Sequence, residues 1–323
     1  MKNITAVSTV RTAGFSLTEL MIAMVLGLLI LGGVLGVFMA NQTTSRVNSS
    51  LSEVQNTARI AFQLMSKDIR SAGFSGCGNP VRVVNVLNSA QPWADWNEGI
   101  RGLSSPVAAI NTVTPTVGTE AIRLMYASGA SSSVNSHDTG NAEFTLTAAP
   151  TLNPLDIAIV CDDVLTSIFQ VSAVNAGAST LTYKAPAAPL NCTENLGFLV
   201  PFNCATAPVR TFPSTAMIMR FESVAWFVAP SADDSSVKSL YRAALVGTQQ
   251  INEEILFGVS NLQLLYMDAT TRQFRAANVV IDWGDIVAVS VTLTLDDEVL
   301  KQLDLMAEAK NINFIVTLRN RVG

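Results

Sequence analysis

From Leu20 to Ala40 the chain reads LMIAMVLGLLILGGVLGVFMA, twenty-one residues with no charged side chain and no proline. At 1.5 Å per residue such a helix is about 31 Å long, one hydrocarbon thickness, so a single membrane crossing is expected. Lys2 and Arg11 precede it, and no acidic residue comes before Glu19. A flank of that sign stays in the cytoplasm, which sends the remainder of the chain across. A secretory signal removed after export fits poorly, because the run closes on Phe38-Met39-Ala40 and places phenylalanine where a small residue is needed. The length also disfavours the core helix of a soluble domain. A plain signal anchor remains, and it leaves one residue unexplained.

That residue is Glu19, just inside the apolar segment in Gly14-Phe15-Ser16-Leu17-Thr18-Glu19-Leu20. A carboxylate in a membrane helix costs a few kcal/mol, so a partner is expected. No Lys or Arg lies between Arg11 and Arg46, and neighbours three or four residues away therefore supply no positive charge. The partner is expected from elsewhere. These residues resemble the class III signal of type IV pilins and of the pseudopilins of type II secretion. The resemblance implies that a membrane prepilin peptidase cuts between Gly14 and Phe15 and methylates the new N-terminus on Phe15. Glu19 would then be the fifth mature residue, pairing during assembly with the N-terminal ammonium of a neighbouring subunit. Unlike many major pilins, this helix has no proline; it carries Gly27, Gly32, Gly33 and Gly36 instead. Each glycine costs about 1 kcal/mol relative to alanine, which allows local loosening on assembly, while close packing of helices in lipid explains the same small residues.

Beyond Ala40, Val47, Leu51, Val54, Ala58, Ala61, Met65 and Ile69 recur at steps of three and four and make one helical stripe. It extends the helix to about Ala72, where Gly73, Gly76, Gly78 and Pro80 supply stop signals. A helix from Ser16 to Ala72 would be about 85 Å long. From residue 74 onward, short β-branched and aromatic runs alternate with turn-forming clusters. Strands are expected at Arg82–Val86, Ala121–Tyr126, Glu143–Thr147, Asp156–Val160, Ile168–Val174 and Thr180–Lys184. Later ones are expected at Met217–Phe227, Ser239–Ala244, Leu262–Met267, Ile286–Leu295 and Asn313–Leu318. The segments Ala127–Ala142 and Ala185–Leu190 read as flexible surface excursions.

The expected class is α+β and pilin-like. Residues 1–14 form a leader, 15–40 a membrane and filament-core helix, 41–73 its amphipathic extension and 74–323 a β-rich head. A head of that size is large for one pilin lobe, so a second β-lobe inserted within about 80–215 is expected.

The late segment carries a narrower resemblance. Ser239-Leu240-Tyr241-Arg242 is followed by Leu256-Phe257-Gly258-Val259-Ser260-Asn261-Leu262-Gln263 and Tyr266-Met267-Asp268. Then come Trp283-Gly284-Asp285-Ile286-Val287-Ala288-Val289 and Leu318-Arg319-Asn320-Arg321. This order resembles the PilW family of type IV pilus minor pilins. With the N-terminal motif it covers both ends of the chain, while residues 80–215 add little. The resemblance implies a subunit of the inner membrane, head in the periplasm, that primes or caps the pilus. Implied partners are the prepilin peptidase, other minor pilins, the major pilin and the inner-membrane assembly platform; twitching and adhesion are outputs of that system. Secretion pseudopilins of the J class are similar at the N-terminus but usually much shorter. A membrane-tethered periplasmic or surface adhesin is the reading from another class.

Four cysteines in an exported domain point to disulfides. Cys192 and Cys204 enclose a short loop containing Pro201, so that pair is expected, leaving Cys77 with Cys161; the other connectivities stay open. With one histidine and no C-x-x-C spacing, no metal or cofactor is expected. His137, beside Asp138 in a Ser-rich stretch, reads as a solvated loop residue, and without a Gly-x-Ser-x-Gly elbow or a Walker-type lysine loop no enzymatic role is expected. The acidic pairs Asp162-Asp163 and Asp233-Asp234 and the run Asp296-Asp297-Glu298 read as turns or helix starts. Asp268 is followed by Ala269-Thr270-Thr271-Arg272, which lacks calcium ligands. The net charge is −5, and loss of Lys2 and Arg11 would make it −7, which argues against direct capture of nucleic acid.

Overall fold

A computed structural model describes residues 16–77, 82–88, 91–185, 187–297 and 310–321. One helix, α1, runs from Leu17 to Ser71. The chain divides into two compact units, Met1–Val54 and Gln55–Gly323. In the first unit α1 passes through Gly27, Gly32, Gly33 and Gly36 without interruption. Every side chain from Ser16 to Ser45 is exposed, and Leu17–Ser45 is long and apolar enough to cross a membrane.

In the second unit the end of α1 is a core element. Ala61, Met65, Ile69 and Ala72 are completely buried, the C-terminal half of the expected stripe; the side chains of Val47, Leu51 and Val54 lie outside the described set. Burying Met65 and Ile69 stabilises the head by roughly 1.5–3 kcal/mol each. The helix stops at Gly73, which takes a left-handed φ of +76° and donates its N–H to Met125 O at 2.8 Å. Gly99 backs directly onto that turn, and a Cβ there would fall 2.4 Å from the Gly73 Cα. Both positions therefore require glycine. Gly78 and Pro80 lie outside the described residues.

Among the described residues, fifteen strands follow in two sheets. The first sheet contains β1 (Val83–Asn85), β2 (Ile100–Leu103), β3 (Ala121–Asp138), β4 (Glu143–Leu146), β5 (Ile157–Cys161) and β6 (Thr166–Gln170). It continues with β7 (Ala173–Asn175), β8 (Thr180–Thr182), β9 (Met217–Pro230), β10 (Lys238–Val246) and β11 (Gln249–Phe257). Its main order is β1-β6-β5-β9-β3-β4-β8-β7, with β10 joining β9 to β11 and β2 lying on β3. The second sheet contains β12 (Val259–Asp268), β13 (Phe274–Arg275), β14 (Ile286–Leu295) and β15 (Asn311–Thr317), in the order β13-β12-β14-β15. This is an α+β chain with a β-rich domain of two sheets.

Both sheets contribute to the core around α1. Ile122, Leu124 and Trp226 from the first sheet meet Leu264, Tyr266 and Val291 from the second around Met65 and Ile69. A separate cluster, with Phe144, Phe169, Tyr183 and Phe212 at its centre, is drawn from residues 84–218. The elements supplying it hydrogen-bond into the first sheet through β3 and β9. The segment thus enlarges an existing sheet while building a core of its own.

Several sequence expectations are corrected here. Ala127–Ala142 is ordered structure: β3 extends to Asp138 and turns tightly into β4. A bulge between Ser128 and Ser132, with Gly129 at φ +81°, re-aims the strand, and Val134 then becomes completely buried. Pairing to β9 and β4 overrides the weak strand tendency of the serines. Within Ala185–Leu190, whose Pro186 lies outside the described residues, Ala188 is fully buried with its N–H on Lys184 O at 2.9 Å, while Ala187 and Pro189 are exposed. β11 was not anticipated because Asn252, Glu253 and Glu254 obscure its pattern; Glu254 instead accepts bonds from Ser231, Ser239 and Tyr241 at 2.7–3.2 Å.

Two disulfides join Cys77 to Cys161 and Cys192 to Cys204. In the chain-entropy picture the first, closing 84 residues, stabilises by about 4.5 kcal/mol and the shorter second by about 3 kcal/mol.

Candidate functional site

Gly14 and Phe15, the expected cleavage and methylation positions, lie outside the described residues. Glu19 is described, in the first turn of α1. Its Oε2 accepts the backbone N–H of Ser16 at 3.3 Å, while Ser16 Oγ shares a hydrogen bond of 2.7 Å with Thr18 Oγ1. Ser16 precedes the helix and Glu19 stands three residues on, the reciprocal arm of a capping box. This amends the expectation that any partner must come from elsewhere: the carboxylate has an intrachain one, but it is a neutral amide. No basic residue occurs from Leu17 to Ser45, so the charge is not neutralised within this segment.

Asp68, near the end of α1, has no place among the sequence expectations. Asp68 is 1% exposed and accepts four hydrogen bonds. Tyr126 Oη donates at 2.7 Å and Trp226 Nε1 at 3.0 Å. Arg242 adds Nε at 2.9 Å and Nη2 at 3.2 Å, one nitrogen to each oxygen. A carboxylate offers about four lone-pair sites, and these donors fill them. Burial tends to lower the Arg242 pKa, but the bonds and charge of Asp68 outweigh it and hold the pKa above its ordinary value. The Tyr126 hydroxyl is pushed up by burial and then by Asp68. Two sequence signals were available: an acid between Met65 and Ile69 in the apolar stripe, and the arginine closing Ser239-Leu240-Tyr241-Arg242.

His137 is not the solvated loop residue its neighbours suggested. It stacks on Phe144 with ring centroids 4.0 Å apart. Phe212 N donates to Nδ1 at 3.0 Å, so Nε2 carries the proton and donates to Tyr183 Oη at 2.7 Å. Burial lowers its pKa to about 4 despite the opposing charge of Asp138. Both ring nitrogens are engaged in structure. The acidic pairs are engaged too: Asp162 caps Val164 and Leu165 and pairs with Arg210, and Asp234 holds Ser236. Asp268 accepts Thr270 N at 2.9 Å and Thr271 N at 2.7 Å.

Neither a scan of protein-family models nor a search of the curated proteins finds a match to the chain. The arrangement of α1 with Glu19 and Asp68 therefore carries the functional argument.

Proposed function

We propose that the chain is a non-enzymatic minor pilin precursor of PilW type, processed between Gly14 and Phe15 and assembled through α1. The observation that carries this reading is Glu19: it is the single charged residue from Leu17 to Ser45, standing in the first turn of an exposed apolar helix. In a lipid or filament interior that charge requires a cation. The ammonium of a neighbouring Phe15, released by cleavage, would lie at the matching end of the helix. The head would then stand in the periplasm, and coassembly with other minor pilins would prime or cap the filament.

N-terminal sequencing and intact mass of membrane-extracted protein test it, with and without the prepilin peptidase. The expected product begins at methylated Phe15 only when the peptidase is present. An N-terminus that retains residues 1–14 in its presence overturns the reading.

The Ser16–Glu19 bond favours a second reading, a membrane-tethered adhesin in which Glu19 only caps its helix. That protein would keep its leader, and Glu19 would act within one chain.

A further inference from the structure

A cleft of 1160 Å³ opens in the head beside the last turns of α1. Although the whole chain is acidic at −5, this cleft is lined by five Lys or Arg side chains and one carboxylate, Glu222. Two of the cations are engaged: Arg242 with Asp68, and Arg321 with the carbonyls of Trp283, Ile286 and Glu98. Glu222 accepts Ser128 Oγ at 2.8 Å. Lys67, Arg70 and Arg319 remain, all exposed, with no acidic partner among the described residues.

Phe62, Phe74 and Met219 provide apolar wall. A lone phosphate would fill little of this volume and use none of that wall, whereas nucleic acid would approach against the charge of the whole chain. A peptide carrying both carboxylates and apolar side chains satisfies cations and wall together.

We propose that this cleft docks an acidic, partly apolar peptide segment of a partner protein, with its carboxylates held by Lys67, Arg70 and Arg319. The proposal is independent of how the N-terminus is processed.

The test uses the full chain in detergent micelles and a fluorescein-labelled peptide of alternating Glu and Leu pairs, followed by anisotropy. The double variant Lys67→Glu, Arg319→Glu should weaken binding at least about tenfold, as should raising the salt, with thermal unfolding unchanged because neither side chain has an acidic partner among the described residues. Arg70→Gln, a milder change, should weaken it in the same direction. The Lys-for-Glu counterpart peptide should not bind. Equal binding by the wild type and these variants overturns the proposal. So does a short oligothymidylate or inorganic phosphate that displaces the peptide at comparable concentration.

Discussion

Asp68 and Glu19 are both acids on α1, and the chain supplies its own donors to them very unequally. Asp68 accepts four hydrogen bonds from three side chains, one of them a bidentate arginine. Among the described residues, Glu19 accepts one bond of 3.3 Å, from a backbone amide. An acid whose lone pairs are all occupied within its own domain has an architectural role, tying the end of α1 to β3, β9 and β10. An acid with most of its acceptor capacity open, on a helix whose apolar side chains are uncovered, has capacity for something outside the chain. The two units differ in the same sense. The second closes its core on itself, whereas every described side chain of the first is exposed.

The largest effect is expected at Asp68. Asp68→Ala strands the Arg242 guanidinium, the Trp226 N–H and the Tyr126 hydroxyl in a largely buried place, and should destabilise the head by about 3–5 kcal/mol in chemical denaturation. A loss below about 1 kcal/mol would remove the distinction between the two acids.

Next comes His137, within the second core. Its folded pKa of about 4 lies below the ordinary 6.5, so the folded state prefers the neutral ring. The stability this confers is complete above pH 6.5 and is lost as pH falls towards 4, where protonated Nδ1 can no longer accept Phe212 N–H. After discounting for partial exposure the loss is about 1–2 kcal/mol. His137→Asn should flatten that part of the pH–stability curve; an unchanged curve would mean that the ring titrates normally.

A smaller change is expected in the first unit. A Cβ at Gly32 or Gly33 would meet nothing within 4 Å, so Gly33→Ala should strengthen α1 by about 1 kcal/mol. Amide hydrogen exchange of this segment in micelles should slow about fivefold, equivalent to that energy. If exchange slows but coassembly fails, the glycine serves the filament; if both hold, it is dispensable.

The helix was legible because its signals are local: an uncharged run, a stripe at steps of three and four, and a glycine stop. They placed its ends at Ser16 and Ala72, within one residue of Leu17 and Ser71. Most strands were legible for the same reason. The extension of β3 and the whole of β11 were not, because serines and glutamates became strand residues through long-range partners that no short window contains. Asp68 was missed on the same ground: its meaning depends on Tyr126, Trp226 and Arg242, the last of them 174 positions away. Ser16 and Glu19, by contrast, form a Ser-x-x-Glu pattern, a local signal that is legible in the sequence as a capping box.

That cap determines how the smallest structural perturbation should be chosen. Glu19→Ala removes charge and acceptor together, so failed assembly would not separate lost pairing from a frayed helix end, worth about 0.5–1 kcal/mol. Glu19→Gln keeps an oxygen that can accept Ser16 N–H, since glutamine serves the same capping position, and removes only the charge. Its effect on helix stability should be near zero. If Glu19 neutralises a neighbour's ammonium, the glutamine variant should insert normally, be processed normally and still fail to coassemble as fully as the alanine variant. If Glu19 is only a cap, glutamine should behave as wild type in piliation and alanine alone should show a defect. Immunoblotting of membrane and sheared-filament fractions distinguishes these outcomes, because the intrachain bond survives in one variant and the formal charge in neither.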